Sequence, residues 1–218
     1  YSILNKFGKQ LKPDYKIIKS YINSKTKMIY LSSPNITSGQ SIDKDDFINF
    51  MEQVPENIVV LVDQRYLEFS TKKNVFKAHK LIKDFKNLII LRSFNNYYSM
   101  ENMELCYTIT NNKVSNFISE NIIVNQLDNF NEQIALEIYK DSYYKDIKHK
   151  IAKERGRVIG HLKKNKIDYF PSETNFLLVK VSKDKEDVSE ELDKRNIILY
   201  KSNDNYNNFW TLPLSTKN

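Results

Sequence analysis

The residues placed to do chemistry stand beyond the carboxyl ends of two apolar runs. Ile58-Val-Val-Leu-Val ends in Asp63, and Leu88-Ile-Ile-Leu91 passes through Arg-Ser-Phe into the polar turn Asn95-Asn96-Tyr97-Tyr98. Unbroken apolar runs bounded by charged or breaker residues read as strands buried on both faces of a parallel sheet. The turn beyond such a strand is where α/β proteins place ligands and reacting groups. Here that turn holds amides and phenols, none of them a strong nucleophile, general base or metal ligand at neutral pH. Asp63 carries the charge for ligand work, yet an acid at a strand end also caps the turn that follows it. The single cysteine, Cys106, excludes an internal disulfide framework. It lies in Met103-Glu-Leu-Cys-Tyr-Thr-Ile109, which reads as a strand, so it is expected to be a small buried apolar residue and not a reactive thiol.

The elements that must position these residues follow from the pattern. Tyr15, Ile17, Ile18, Tyr21 and Ile22 fit a short helix, and Lys27 to Ser33 a strand closed by the breaker-rich loop Pro34-Asn-Ile-Thr-Ser-Gly39. Asp43 is placed to cap a helix from Lys44 to Gln53. The strand ending at Asp63, a helix over 73–84 and the strand at Leu88 continue the alternation expected of βαβ units with right-handed crossovers. From Asn111 the texture turns helical, over Lys113 to Ile122, Gln126 to Lys140 and Tyr144 to Lys164. In the last of these, Ile147, Ile151, Val158, Ile159 and Leu162 form an apolar stripe, with Lys145, Lys148, Lys153, Arg157 and Lys164 largely on other faces. Strands at Phe176 to Val181, Ile197 to Tyr200 and Phe209 to Leu214, with a helix over Glu186 to Lys194, make a second, smaller α+β unit.

Composition bounds the function. At 218 residues and 40% hydrophobic content the chain can bury a core, and no apolar run is long enough to span a membrane as a helix. Its start, Tyr1-Ser-Ile-Leu-Asn, is neither a signal peptide nor an initiator methionine, so the chain reads as part of something longer. The net charge of +7 raises the question of nucleic acid, but acids are interspersed among the lysines. No aromatic interleaving or known nucleic-acid motif accompanies the basic 144–164 helix, so a solvated basic face is the favoured reading.

Several segments, in order, resemble a known family. Ser33-Pro-Asn-Ile-Thr-Ser-Gly39, Leu61-Val-Asp-Gln-Arg-Tyr-Leu-Glu-Phe69, Leu91-Arg-Ser-Phe-Asn-Asn-Tyr-Tyr98, Glu154-Arg155 and Pro171-Ser-Glu-Thr-Asn-Phe176 are similar to landmarks of the pyridoxal-phosphate-dependent class I and II aminotransferases of fold type I. Within that family they lie nearest the histidinol-phosphate aminotransferase branch. The resemblance runs from about Lys27 to Thr216. It implies a partial doubly wound, mostly parallel α/β sheet: residues 1–124 as the C-terminal part of a large domain, 125–165 as connecting helices, and 166–218 as a small α+β domain. Nothing in residues 1–26 resembles the family's opening segment.

Carried over residue by residue, the resemblance implies a degenerate site. The Schiff-base lysine position is Asn96, the preceding phosphate-binding serine is Asn95, the phosphate-clamping arginine falls on Glu104, and the asparagine that bonds the ring hydroxyl is Ile36. The substrate-carboxylate arginine falls on Trp210. Two cofactor contacts are kept: Asp63, which would pair with the pyridinium nitrogen, and Tyr66, which would bond the ring. Where the family has Val-Val-Asp-Glu-Ala-Tyr, this chain has Leu-Val-Asp-Gln-Arg-Tyr, and Arg92, Arg155 and Asn175 stand at further family positions. The expectation is a catalytically inactive aminotransferase-like pseudoenzyme, with no cofactor and no metal, that binds a protein partner or itself as a structural or regulatory complex subunit. The alternatives are an active enzyme using pyridoxal phosphate and completed by a partner or a further N-terminal segment, and a basic nucleic-acid-associated module.

Overall fold

The computed structural model describes residues 4–7, 10–73, 75–100, 103, 105–121, 129–181, 188–197, 199–201 and 209–215. The first described elements are an antiparallel pair, β1 (Leu4–Phe7) and β2 (Gln10–Pro13). Asp14 caps α1 (Tyr15–Ser20) by accepting from the backbone N–H of Lys16 and Ile17, both at 3.0 Å. Strand β3 (Met28–Ser32) leads to α2 (Lys44–Met51), capped by Asp43 as expected, with Phe47, Phe50 and Met51 turned into the core. Then come β4 (Val59–Asp63), β5 (Leu88–Ser93), the short α3 (Asn95–Tyr98) and β6 (Cys106–Ile109).

These strands form one sheet in the order β3-β4-β5-β6, the first three parallel and β6 antiparallel to β5. Val60, Val62, Leu88 and Ile90 are wholly buried beside Phe47 and Phe50. Each such side chain contributes about 1.5–3 kcal/mol relative to exposure, so the central strands and the ends they carry are held firmly.

Two expectations fail here. The helix expected over 73–84 is only a 3-10 turn at Ala78–Leu81. Gln64, fully buried, donates through Nε2 to the Phe76 carbonyl at 2.8 Å and accepts from the Ala78 N–H at 3.3 Å, binding backbone groups that a helix would have used. Cys106 is exposed, not buried, because β6 is the outermost strand and its residues Cys106, Tyr107 and Thr108 all face solvent.

Helices α4 (Asn112–Asn121), α5 (Asn129–Lys140) and α6 (Ser142–Lys164) follow. In α6, Ile151 and Leu162 are buried and Val158 and Ile159 pack against the core, so the expected stripe forms. A second sheet is antiparallel throughout, ordered β7-β8-β10-β9, from β7 (Tyr169–Phe170), β8 (Phe176–Lys180), β9 (Tyr200–Lys201) and β10 (Phe209–Pro213), with α7 (Val188–Asp193) between β8 and β9. The expected strand at Ile197 to Tyr200 is thus met only at its end, and Ile198 lies outside the described residues.

The two sheets meet at Gly39 and Glu173. Gly39 has φ +69°, and a Cβ there would stand 2.0 Å from Ser172 Oγ, so only glycine permits this approach. The Glu173 N–H donates to the Gly39 carbonyl at 2.7 Å, and its buried carboxylate accepts from Ser70 Oγ at 2.6 Å and Ser41 N–H at 3.3 Å and pairs with Lys72 at 2.6 Å. Leu11 of β2 closes the joint against Phe170, Leu178 and Phe209.

Candidate functional site

The carboxyl ends of β3, β4 and β5 bring Ser32, Asp63 and Ser93 to one rim of the sheet, in adjacent register for Ser32 and Asp63. Asp63 is 1% exposed, and a carboxylate so placed must be matched by cations and donors. The chain supplies them itself. Arg65, two residues on, donates its backbone N–H to Oδ1 at 2.9 Å, and its guanidinium Nε lies 3.0 Å from Oδ1 and 2.9 Å from Oδ2, with Nη2 at 2.6 Å from Oδ2. The Tyr30 hydroxyl, from the neighbouring strand, donates to Oδ2 at 2.6 Å. Burial and the bond to Asp63 push the Tyr30 phenol up to about 12, so it stays a donor across the physiological range. The Arg65 guanidinium is shifted further up, chiefly by its hydrogen bonds to Asp63.

The loop after β3 is built on Asn35, whose Oδ1 accepts from the N–H of Thr37 at 3.0 Å and of Ser38 at 2.9 Å, while its Nδ2 donates to Ser32 Oγ at 2.9 Å. Ile36 rides on this turn, exposed. A groove of about 850 Å³ runs along the outer edge of β3, lined by Met28, Tyr30, Ser32 and Ile36 among others.

Asn95 and Asn96 open α3. The Asn95 N–H donates to Ser93 Oγ at 2.9 Å, and its buried Oδ1 has no partner among the described residues. Tyr97 donates to the Tyr144 carbonyl at 2.5 Å and stacks edge-on with Phe69, tying this turn to α6. Beneath it Arg92 pairs with Glu68. Tyr66 stands edge-on to Phe176 at 5.7 Å between ring centres, bridging to the second sheet.

The residues singled out in the sequence therefore fare differently. Asp63, Tyr66, Asn95, Asn96 and Ile36 lie on the loops and element ends around this rim, while Glu104 falls outside the described residues. Trp210 is buried in β10 among Leu162, Leu177 and Val179 and acts as core. Arg155 is also buried, with a 3.5 Å contact from Nη2 to the Phe69 carbonyl and no partner for Nε among the described residues. Missed were Tyr30 and Arg65; an arginine two residues beyond a strand-end acid, where the resembling motif has alanine, was the available signal for the second. Among the described residues no group of three or more His, Cys, Asp or Glu side chains could hold a metal ion.

A mostly parallel sheet carrying its polar loops at the strand ends, joined to a small antiparallel α+β layer, defines an α/β protein. The family model for Aminotransferase class I and II matches residues 6–204, and the chain belongs to that family. It is 33% identical over 169 residues to the histidinol-phosphate aminotransferase of Staphylococcus saprophyticus, covering 76% of this chain and 47% of that one. With histidinol-phosphate aminotransferase 2 of Haemophilus influenzae it shares 28% identity over 165 residues, 72% of this chain and 43% of the other. The chain thus spans about half the length of these curated relatives. The histidinol-phosphate aminotransferase of Clostridium acetobutylicum superposes with a TM-score of 0.83 at 24% identity, over 95% of this chain and 64% of that one. The enzyme of Sinorhizobium meliloti, solved in complex with pyridoxal-5'-phosphate, superposes at 0.80 and 19% identity over 95% of this chain and 58% of that one. These likenesses establish the fold.

Proposed function

We propose that this chain is an aminotransferase-fold pseudoenzyme: catalytically inactive, without pyridoxal phosphate, and serving as a structural or regulatory protein-binding subunit. The observation that carries the reading is Asn96. It opens the turn after β5 with a carboxamide, which cannot form a Schiff base or shuttle a proton. The residues around it do not fit the cofactor either. Ile36 offers no hydrogen bond to a ring hydroxyl, and both oxygens of Asp63 are already engaged by Arg65 and Tyr30. Apolar side chains left open on α4, α5 and β3, among them Phe117, Phe130, Tyr139 and Met28, supply surface for a protein partner or a second copy.

A second reading, an active pyridoxal-phosphate-dependent aminotransferase completed by another polypeptide, is favoured by the family membership and by the retained Asp63 and Tyr66. One experiment separates the two. The protein is mixed with pyridoxal phosphate, followed by absorbance near the visible edge, then reduced with borohydride and mapped. The pseudoenzyme gives no aldimine band and no reduced lysine adduct; an adduct with transamination of any amino acid overturns it. Asn96→Lys is expected to gain no transamination activity.

A further inference from the structure

The buried carboxylate of Asp63 has an occupant, and the occupant belongs to the chain. Oδ1 accepts from the Arg65 N–H and Nε, and Oδ2 from Nε, Nη2 and the Tyr30 hydroxyl. A planar guanidinium is the cation best shaped to meet a carboxylate through two parallel donors. Asp63 is almost wholly buried, whereas the Arg65 side chain keeps 33% of its surface in solvent. The carboxylate is therefore at the bottom of the pair and the guanidinium at its mouth, so any external cation reaching Asp63 must first move Arg65. Tethering two residues from its target gives the guanidinium an effective concentration on the order of millimolar or above, far beyond a dilute competitor.

We propose that Arg65 is a built-in counter-cation that seals Asp63 against external planar nitrogen cations, and that this carboxylate becomes a binding site for such cations when the side chain is removed. The inference rests on the reading of the site as closed, and it names the closing group. Protonated pyridine rings and amidinium or guanidinium compounds are the ligand class.

The test uses methylguanidinium as probe, with tetramethylammonium as the non-planar, non-donating control, on the full chain as wild type, Arg65→Ala and Asp63→Asn/Arg65→Ala. Methylguanidinium titrated by NMR is expected to bind Arg65→Ala at least tenfold more tightly than wild type and to raise its melting temperature by several degrees. Neither effect should appear with tetramethylammonium or in the double variant. Equal responses from wild type and Arg65→Ala, or none from Arg65→Ala, would overturn the proposal. Should Arg65→Ala fail to fold, the double variant decides: with no charge left unmatched it is expected to fold, and a double variant as unstable as the single one counts against the seal. These outcomes are separable from the fate of the pseudoenzyme reading. A lysine adduct in the wild type removes that reading, whereas a silent wild type with an unresponsive Arg65→Ala removes only the role of Arg65.

Discussion

What Asp63 can do is set by the groups around it, which engage both carboxylate oxygens from within the chain. In the sequence it stands where the family resemblance implies a carboxylate; in the structure it is half of an ion pair whose other half lies two positions away. Asp63→Asn leaves the Arg65 guanidinium facing an amide. Because Arg65 is a third exposed, the loss is expected at about 2 kcal/mol, below that of a fully buried pair, read as a lower urea midpoint with unchanged m-value. Glu173 gives a pH signature. Burial raises its carboxyl, but bonding to Lys72 and Ser70 outweighs this and the net shift is downward. A carboxyl lowered on folding adds stability that is complete above its unfolded value and is lost as pH falls through the folded one. The stability advantage of wild type over Glu173→Gln is therefore expected to be largest above roughly pH 5 and to shrink on acidification. Melting curves from pH 7 to about 3 measure it; an advantage that grows toward acid would refute the assignment.

At the scale of elements, legibility depended on whether a local pattern or a distant side chain decided the conformation. The buried strands β4 and β5 were plain because unbroken apolar runs between breakers have one stable home, and α2 was plain because Asp43 marks its start with a capping carboxylate. The 73–84 stretch was misread because Gln64, more than ten residues upstream, captures its backbone. Cys106 was misplaced because the sequence does not say which strand ends a sheet. Of the site, the positions of Asp63, Asn95 and Asn96 were legible from motif order, and Arg65 had a local signal in its spacing from Asp63, whereas the Tyr30 contact depends on cross-strand geometry that no spacing encodes. The joint between the sheets carries a sharp prediction. Gly39→Ala would force a Cβ into Ser172 at a positive φ, and the combined clash and backbone strain should cost about 2 kcal/mol or more. Thermal unfolding reads the loss; a melting temperature equal to wild type would show that the loop can yield.

At the scale of the whole molecule the unusual property is how much apolar surface the described residues leave open. Helices α4 and α5 bury none of their described side chains, and Phe130 and Tyr139 on α5 are 70% and 65% exposed. At the far edges of the first sheet, β3 shows Met28 and Tyr30 and β6 shows Tyr107. Amphipathic helices gain most of their stability from packing an apolar face, so α4 and α5, whose described side chains are at most half-buried, have apolar surface left for a neighbouring protein. Protein association is the physical consequence proposed for this chain, and it is separable from any question of catalysis. The apparent molar mass by light scattering is expected to rise above the 25.8 kDa of one chain as concentration increases. Phe130→Ser together with Tyr139→Ser should abolish that rise while leaving the melting temperature within a few degrees, since both side chains are mostly exposed and Tyr139 meets the half-buried Tyr98 at 6.4 Å between ring centres. A mass of one chain at every concentration, unchanged by the substitutions, would leave self-association without support and direct the same surface to a different protein.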